Sequence, residues 1–397
     1  MTAPTSTFTP EVPLLSPAPP VAARRLLIAY ISGLGAAMAV WGARMPAVQA
    51  AAHLSSGRLA AVLLGAAAGL LAGLQLGGRV AHRYGSAKLL VMPTAALGLA
   101  LSALGLCRTL PTLIVAAVFF GLAHGLLDIG TNATAVRCQE AYGRPIMSGL
   151  HASYSLGALF GAALAVVTAG LPHEALFVGV GMTLALAALA STPAIRIVAR
   201  LDGDGAIKDH EAGSGRPVRT RGPAIWLLSA LAAACLLGEG AAADWSAVHL
   251  DTLRASAAVS AVAYAVYSAA MAAGRLIGDR LTARYGPAKL VRVGGLIAAV
   301  GLGTGLAIGT APAALLGWTA LGLGLSTVVP SLITAAGSGG PRAVAAVAGT
   351  GYLGMLIGPA AIGALASVSS LSLALALPVL LAAAVAIGSH RALAPAR

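Results

Sequence analysis

Twelve long apolar runs, parted by short polar breaks, fill nearly the whole chain. They lie near residues 25–47, 57–78, 88–106, 111–135, 145–169, 174–195, 223–247, 257–278, 289–309, 312–335, 343–366 and 370–390. A helix needs roughly 20 consecutive apolar residues to cross the hydrocarbon of a bilayer. The 397 residues leave room for such a number of crossings and little else. A closed barrel is the other structure that satisfies its backbone in lipid, and its strands alternate apolar and polar residues. Here the runs are solid Ala, Leu, Gly and Val. Only 9% of residues are charged, against about 25% in a soluble domain. The expected fold class is an all-α membrane protein with twelve transmembrane helices.

The cations give the orientation. With both ends in the cytoplasm, the inner side receives 21 of the 25 Lys and Arg, and the outer side keeps Arg44, Arg58, Arg108 and Arg254. Such a bias follows the positive-inside rule. The expected localisation is therefore multi-pass in the cell (inner) membrane with both termini cytoplasmic. This distribution also removes the nucleic-acid reading of the net charge of +13. Residues 1–23 hold six prolines and a single charge, and read as a disordered tail. The expected domains are a six-helix bundle over 24–195, a linker rich in Gly and charge over 196–222, a second bundle over 223–390, and a tail over 391–397.

One short stretch occurs twice. Gly77 to Leu89 reads GGRVAHRYGSAKL and Gly278 to Leu290 reads GDRLTARYGPAKL, with eight of thirteen positions identical at an offset of 201 residues. That offset is half the chain, as in a duplicated bundle rather than a solenoid. The stretch falls between spans 2 and 3 and between spans 8 and 9, on the inner side both times. It resembles the signature loop of the major facilitator superfamily. Asp279, Arg280, Arg284 and Gly286, with Gly274 upstream, carry the likeness in the second half; Arg79, Arg83 and Gly85 carry it in the first. A narrower resemblance is to the fucose-permease-like, MosC/YbjJ-like group. It rests on Trp41-Gly-Ala-Arg-Met-Pro46, Asp128-x-x-x-Asn132, Gly143-Arg-Pro-Ile-Met-Ser148 with His151, Glu239 to Ser246, and Gly354-x-x-x-Gly358-Pro359. The resemblance implies two pseudo-symmetric six-helix bundles around a central cavity lined by helices 1, 4, 7 and 10. It also implies a monomer.

Carboxyl groups deep in apolar runs mark the candidate site. An ionised side chain at the bilayer centre costs at least about 2.5 kcal/mol, so it persists where it meets water, a cation or a proton. Asp128 and Glu239 lie well inside spans, and Asp244 sits near the outer end of span 7. His124, Asp128 and Asn132 are spaced by four and form one polar stripe. In fucose permeases an acid in the place of Asp128 couples protonation to sugar movement, which implies that role for Asp128. Those permeases have a second acid on helix 1, where this chain has Gly42 and Arg44. Glu239, about 24 Å along its span, reads as a second titrating group or as half of an interhelical ion pair. Arg44 reads as a substrate clamp, a partner of Glu239 or Asp244, or a snorkelling interface residue. His151, two turns into span 5, reads as a solute ligand or a packed histidine. For the loops the resemblance implies a gate. Arg79, Arg83, Arg144, Asp279, Arg280 and Arg284 would lock the inner ends, with Asp279 near Arg144 at the start of span 5. Gly78 replaces the acid in the first copy. The plainer reading is that these cations set topology and meet anionic headgroups.

Several matches carry nothing. Gly301-x-Gly303-x-Gly305 mimics a phosphate loop but lies in an apolar span without a preceding strand. Cys107, Cys138 and Cys235 lack metal-ligand spacing. No nucleophile motif, metal motif or cofactor motif is present. The expectation is therefore a non-enzymatic secondary transporter without metal or cofactor. Its partners would be protons, a small polar solute of the sugar or polyol class, and the lipid bilayer. A proton-coupled efflux antiporter and a non-transporting membrane sensor or scaffold remain as rival readings.

Overall fold

The computed structural model describes residues 20–201 and 222–393. The parts of the expected tails and linker at 1–19, 202–221 and 394–397 lie outside them. Among the described residues, twelve helices are long and apolar enough to cross a membrane. We number them α1 (Val21–Ala43), α2 (Ser56–Tyr84), α3 (Lys88–Leu106), α4 (Leu110–Tyr142), α5 (Met147–Val167), α6 (His173–Ala190), α7 (Gly222–Thr252), α8 (Ala257–Tyr285), α9 (Pro287–Ile308), α10 (Ala311–Gly337), α11 (Gly340–Val368) and α12 (Leu371–Leu393). The end of the molecule that carries α1's start, α12's end and both repeated loops is called the basic face here; the opposite end is the far face.

Each apolar run forms its helix, but several helices outlast the run. α4 continues to Tyr142 and α7 to Thr252, since a helix needs no apolar residues once it has left the lipid. α1 stops at Ala43, and a separate short helix spans Met45–Ala51. Pro46, which has no N–H to donate, stands in the first turn of that second piece. Residues 196–201, expected to open the linker, are helical with Val198 buried. α10 breaks at Ser326 and Thr327, into Ala311–Leu325 and Val328–Gly337. Pro330 removes a donor there, and the Ser326 hydroxyl bonds back to the Leu323 carbonyl at 2.6 Å.

The duplication extends well past the repeated stretch. Ser55 and Ser256, 201 residues apart, cap α2 and α8 by accepting from the amides of Arg58 and Val259, each at 3.4 Å. Just before them, His53 and Arg254 take left-handed backbone at φ 50° and 57°. Both helices end on glycines of positive φ, 89° at Gly85 and 78° at Gly286, where a side chain would be strained. Tyr84 is flanked by Arg83 and Lys88 at 5.3 and 5.5 Å from its ring centre, and Tyr285 by Arg284 and Lys289 at the same distances. The repeated residues thus build the same turn twice, with cations held over an aromatic ring.

Packing repeats in the same way. In the first half α1 lies on α5, α2 on α4 and α3 on α6; in the second, α7 lies on α11, α8 on α10 and α9 on α12. The halves meet through α2 with α11 and through α5 with α8, two equivalent seams. The molecule is two pseudo-symmetric six-helix bundles. At the basic end of the α2–α11 seam a side chain at Gly78 would collide with the Ala345 methyl at 2.5 Å, so the helices approach there without room for a side chain.

Candidate functional site

The polar stripe of α4 faces the seam between the halves. His124 and Asn132 are buried, and Asp128 between them is nearly so. The Asn132 amide donates to the Asp128 backbone carbonyl at 2.9 Å. The Asp128 carboxylate interacts with the side chains of Asn132 and of Tyr352 on α11. The Tyr352 ring also meets the His124 imidazole edge-on, 6.1 Å between centres. His124 Nε2 is buried without a hydrogen-bond partner. Among the described residues no cation stands within ion-pair distance of Asp128.

Opposite lies a second charged group that sequence reasoning only half found. Glu239 of α7 pairs with Arg275 of α8, Oε1 to Nη2 at 3.5 Å. Arg275 is only 8% exposed. Its Nη1 donates to Ser155 Oγ of α5 at 3.0 Å, across the seam between the halves. Counted by sequence as a cation of the inner loops, Arg275 instead lies inside the bundle. The loop assignment failed because Arg275 stands only four residues before Asp279, at the ragged end of an apolar run. That same spacing of four puts both residues on one helix face and was the available signal.

Tyr154 of α5 sits between the two charged groups, close enough to interact electrostatically with Asp128, Glu239, Arg275 and Tyr264. Tyr264 and Tyr267 of α8 stack at 6.0 Å. His151 lies one turn from Ser155 and feels the Arg275 charge. The centre of the molecule therefore gathers Asp128, Tyr154, Glu239, Tyr264, Arg275 and Tyr352, drawn from both halves. The four residues other than Asp128 and Glu239 were not singled out from sequence. A tyrosine within an apolar run looks like packing until its neighbour across the seam is known.

Two expected ligands lie elsewhere. Arg44 neither reaches the centre nor pairs with Glu239 or Asp244. It donates to the carbonyls of Thr168, Ala169 and Leu171, where α5 ends at the far face. There a cation meets the unpaired carbonyls of a helix C-terminus. Asp244 is exposed near the far face, about 140° around α7 from Glu239 at 100° per residue. The neighbouring Trp245 donates to the Pro359 carbonyl of α11 at 3.2 Å.

At the basic face Asp279 reaches the start of α5. Its two carboxylate oxygens accept from the amides of Ser148 and Gly149, each at 2.9 Å. These are free donors of a helix N-terminus. Arg24 and Arg144 stand close enough to act on the same carboxylate. Gln139 of α4 accepts from the amides of Ile146 and Met147 at 2.9 and 3.1 Å, and its amide reaches Thr334 of α10 at 3.4 Å. Arg79, Arg83, Arg144, Arg280 and Arg284 are exposed. Among the described residues, the hydrogen bonds between the halves lie at the centre or toward the basic face.

A family model described as Major Facilitator Superfamily matches residues 26–350. The chain belongs to that superfamily. Its relatives are transporters of the same kind. An uncharacterised MFS-type transporter of Yersinia pestis is 36% identical over 356 residues, 87% of this chain and 88% of that one. The uncharacterised transporter y4wD of Sinorhizobium fredii is 32% identical, covering 94% and 97%. The membrane protein MosC of Rhizobium meliloti is 28% identical, covering 87% and 84%. Among solved structures the fold is similar to FucP in the outward conformation, with TM-score 0.69 and 15% identity over 93% of this chain and 98% of that one. It is also similar to the proton:xylose symporter XylE, with TM-score 0.67 and 12% identity over 94% and 95%. The human organic anion transporter MFSD10 gives TM-score 0.72 and 15% identity over 94% and 99%. The protein is thus a superfamily transporter.

Proposed function

We propose that the protein is a proton-coupled symporter of a small polar solute, of the sugar or polyol class, working by alternating access. It acts as a monomer in the inner membrane with both termini in the cytoplasm. The observation that carries the coupling is Asp128: an acid at the centre of the molecule, without a cation partner, touching Tyr352 of the other half. An acid so placed has no counterion to offset its charge, so binding a proton is the way to neutralise it. Protonation would also weaken its hold on Tyr352, because hydrogen bonds to ionised groups are the stronger ones. Proton and solute together would then let the halves rock apart at the basic face. Glu239 is compensated by Arg275 and serves the solute rather than the proton.

The sugar class draws support from the polar, tyrosine-rich lining of the centre, and from FucP and XylE, a fucose:proton and a proton:xylose symporter. The orientation draws support from the cations. With Arg275 moved to the interior, 15 Lys and Arg among the described residues lie toward the basic face against four toward the far face. In this reading Asp279, with Arg24 and Arg144 around it, fastens the basic face. Arg79, Arg83, Arg280 and Arg284 hold the loops in the cytoplasm.

The test is Asp128→Asn in proteoliposomes loaded with solute. Uptake driven by a pH gradient is expected to disappear while exchange of solute across the membrane continues. Unchanged pH-driven uptake would exclude Asp128 as the coupling group.

A further inference from the structure

We propose that the Glu239–Arg275 pair is the subsite that reads the solute, and that it takes a neutral pyranose by two adjacent ring hydroxyls, with Tyr264 as the platform for the ring. This rests on the transporter reading above and narrows its substrate class.

The donors and acceptors come first. A guanidinium has five N–H donors. Arg275 spends one on Ser155 at 3.0 Å and one on Glu239 at 3.5 Å, and its Nε has no partner. An Arg–carboxylate pair that closes fully is bidentate at roughly 2.8 Å. This pair is looser, and Glu239 makes no other hydrogen bond among the described residues. It therefore leaves a carboxylate acceptor beside guanidinium donors that have no protein partner. Two hydroxyls on neighbouring carbons supply the complement. One O–H donates to Glu239, while the oxygen of the next accepts from Arg275.

The platform comes second. Tyr264 and Arg275 are eleven residues apart, close to three helical turns, and so share one face of α8. Tyr264 is 46% exposed, yet it acts on Tyr154 of the opposite half. Its face is the one turned to the seam. Stacking on Tyr267, with 18° between the ring planes, holds its orientation. The C–H face of a pyranose suits such a ring, with the polar edge left free for the pair.

Charge comes third. Glu239 and Arg275 compensate each other, so among the described residues Asp128 is the acid at the centre without a counterion. A solute anion would compete with Glu239 for the single guanidinium and leave the centre with an unpaired negative charge. A solute cation would take the proton's place at Asp128. A neutral solute leaves the pair intact and the proton to Asp128.

The experiment measures binding to full-length protein in lipid nanodiscs, by calorimetry. The probes are D-glucose, D-galactose, their monodeoxy analogues and D-glucuronate. A neutral pyranose is expected to bind. Removing one hydroxyl of the gripped pair should weaken binding at least roughly tenfold, and the uronate should bind no tighter than its parent. Glu239→Gln should weaken the neutral sugar by a similar factor. Tyr264→Ala should weaken it roughly three- to tenfold with the melting temperature of the unliganded protein unchanged. That variant and the deoxy series decide the matter even if Glu239→Gln fails to fold. Tighter binding of the uronate, full affinity in Tyr264→Ala, or no pyranose binding each overturns the subsite. If some other solute then shows pH-driven uptake dependent on Asp128, the transporter reading survives without it.

Discussion

Arg275 keeps its charge inside the protein because Glu239 faces it. Taking both ions out of water is expensive, and their attraction recovers that cost only while both are present. Glu239→Leu should therefore destabilise the protein by about 3 kcal/mol, leaving a buried cation unpaired. Glu239→Leu combined with Arg275→Met should recover most of that loss, since an apolar pair of similar volume needs no counterion. Thermal unfolding in detergent of the two single variants and the double variant reads the coupling directly. A single variant as stable as the wild type would mean that the pair is not what keeps Arg275 inside. Arg44 has the opposite character. It was legible as a cation near a membrane edge, and it does what such a cation does, closing the end of a helix. Sequence position therefore served for the charge at an edge and failed for Arg275, whose depth depends on where α8 leaves the lipid.

The two seams between the halves are built from different materials. On α8, Arg275 and Asp279 face α5 one turn apart, and Asp279 binds two free amides at the α5 N-terminus. On α2, Gly78 stands where the acid would be, and α11 packs directly onto it. An anion at a helix N-terminus contributes about 1 kcal/mol, which is a roughly fivefold shift in a two-state equilibrium. Asp279→Ala should thus favour opening at the basic face by about fivefold. A thiol placed by Ser148→Cys, where the serine is buried, reports it through its alkylation rate. An unchanged rate would show that the carboxylate does not fasten the seam. Much of this architecture was readable beforehand. The apolar runs located the helices, and the repeat located matching turns at Tyr84 and Tyr285. The break in α10 at Ser326 was not, because the Ser, Thr and Pro scattered through that apolar run do not say which of them interrupts the helix. The closure at Gly78 was not either, since a missing side chain says nothing about which helix approaches it.

At the scale of the molecule, two bundles of the same plan are joined along two seams, and the polar contacts between them lie at the centre and toward one end. Cores are bistable rather than continuously deformable, so such bundles move as bodies. Access to Asp128 and Glu239 from the basic face then requires α2 to part from α11 while α5 parts from α8. The α2–α11 seam gives a way to forbid that. Gln75 of α2 lies with its amide 3.2 Å from the point where a side chain on Gly349 of α11 would begin. Cysteines placed by Gln75→Cys and Gly349→Cys, in a background without Cys107, Cys138 and Cys235, are therefore within reach of a short bis-alkylating linker. The linked protein should lose transport in proteoliposomes. It should still bind solute, because neither residue belongs to the central group of side chains. Each single variant, alkylated alone, should keep transporting, which separates the tether from the substitutions. Transport at the wild-type rate by the linked protein would mean that the halves do not rock about this seam, and the solute would need some other way past α2 and α11.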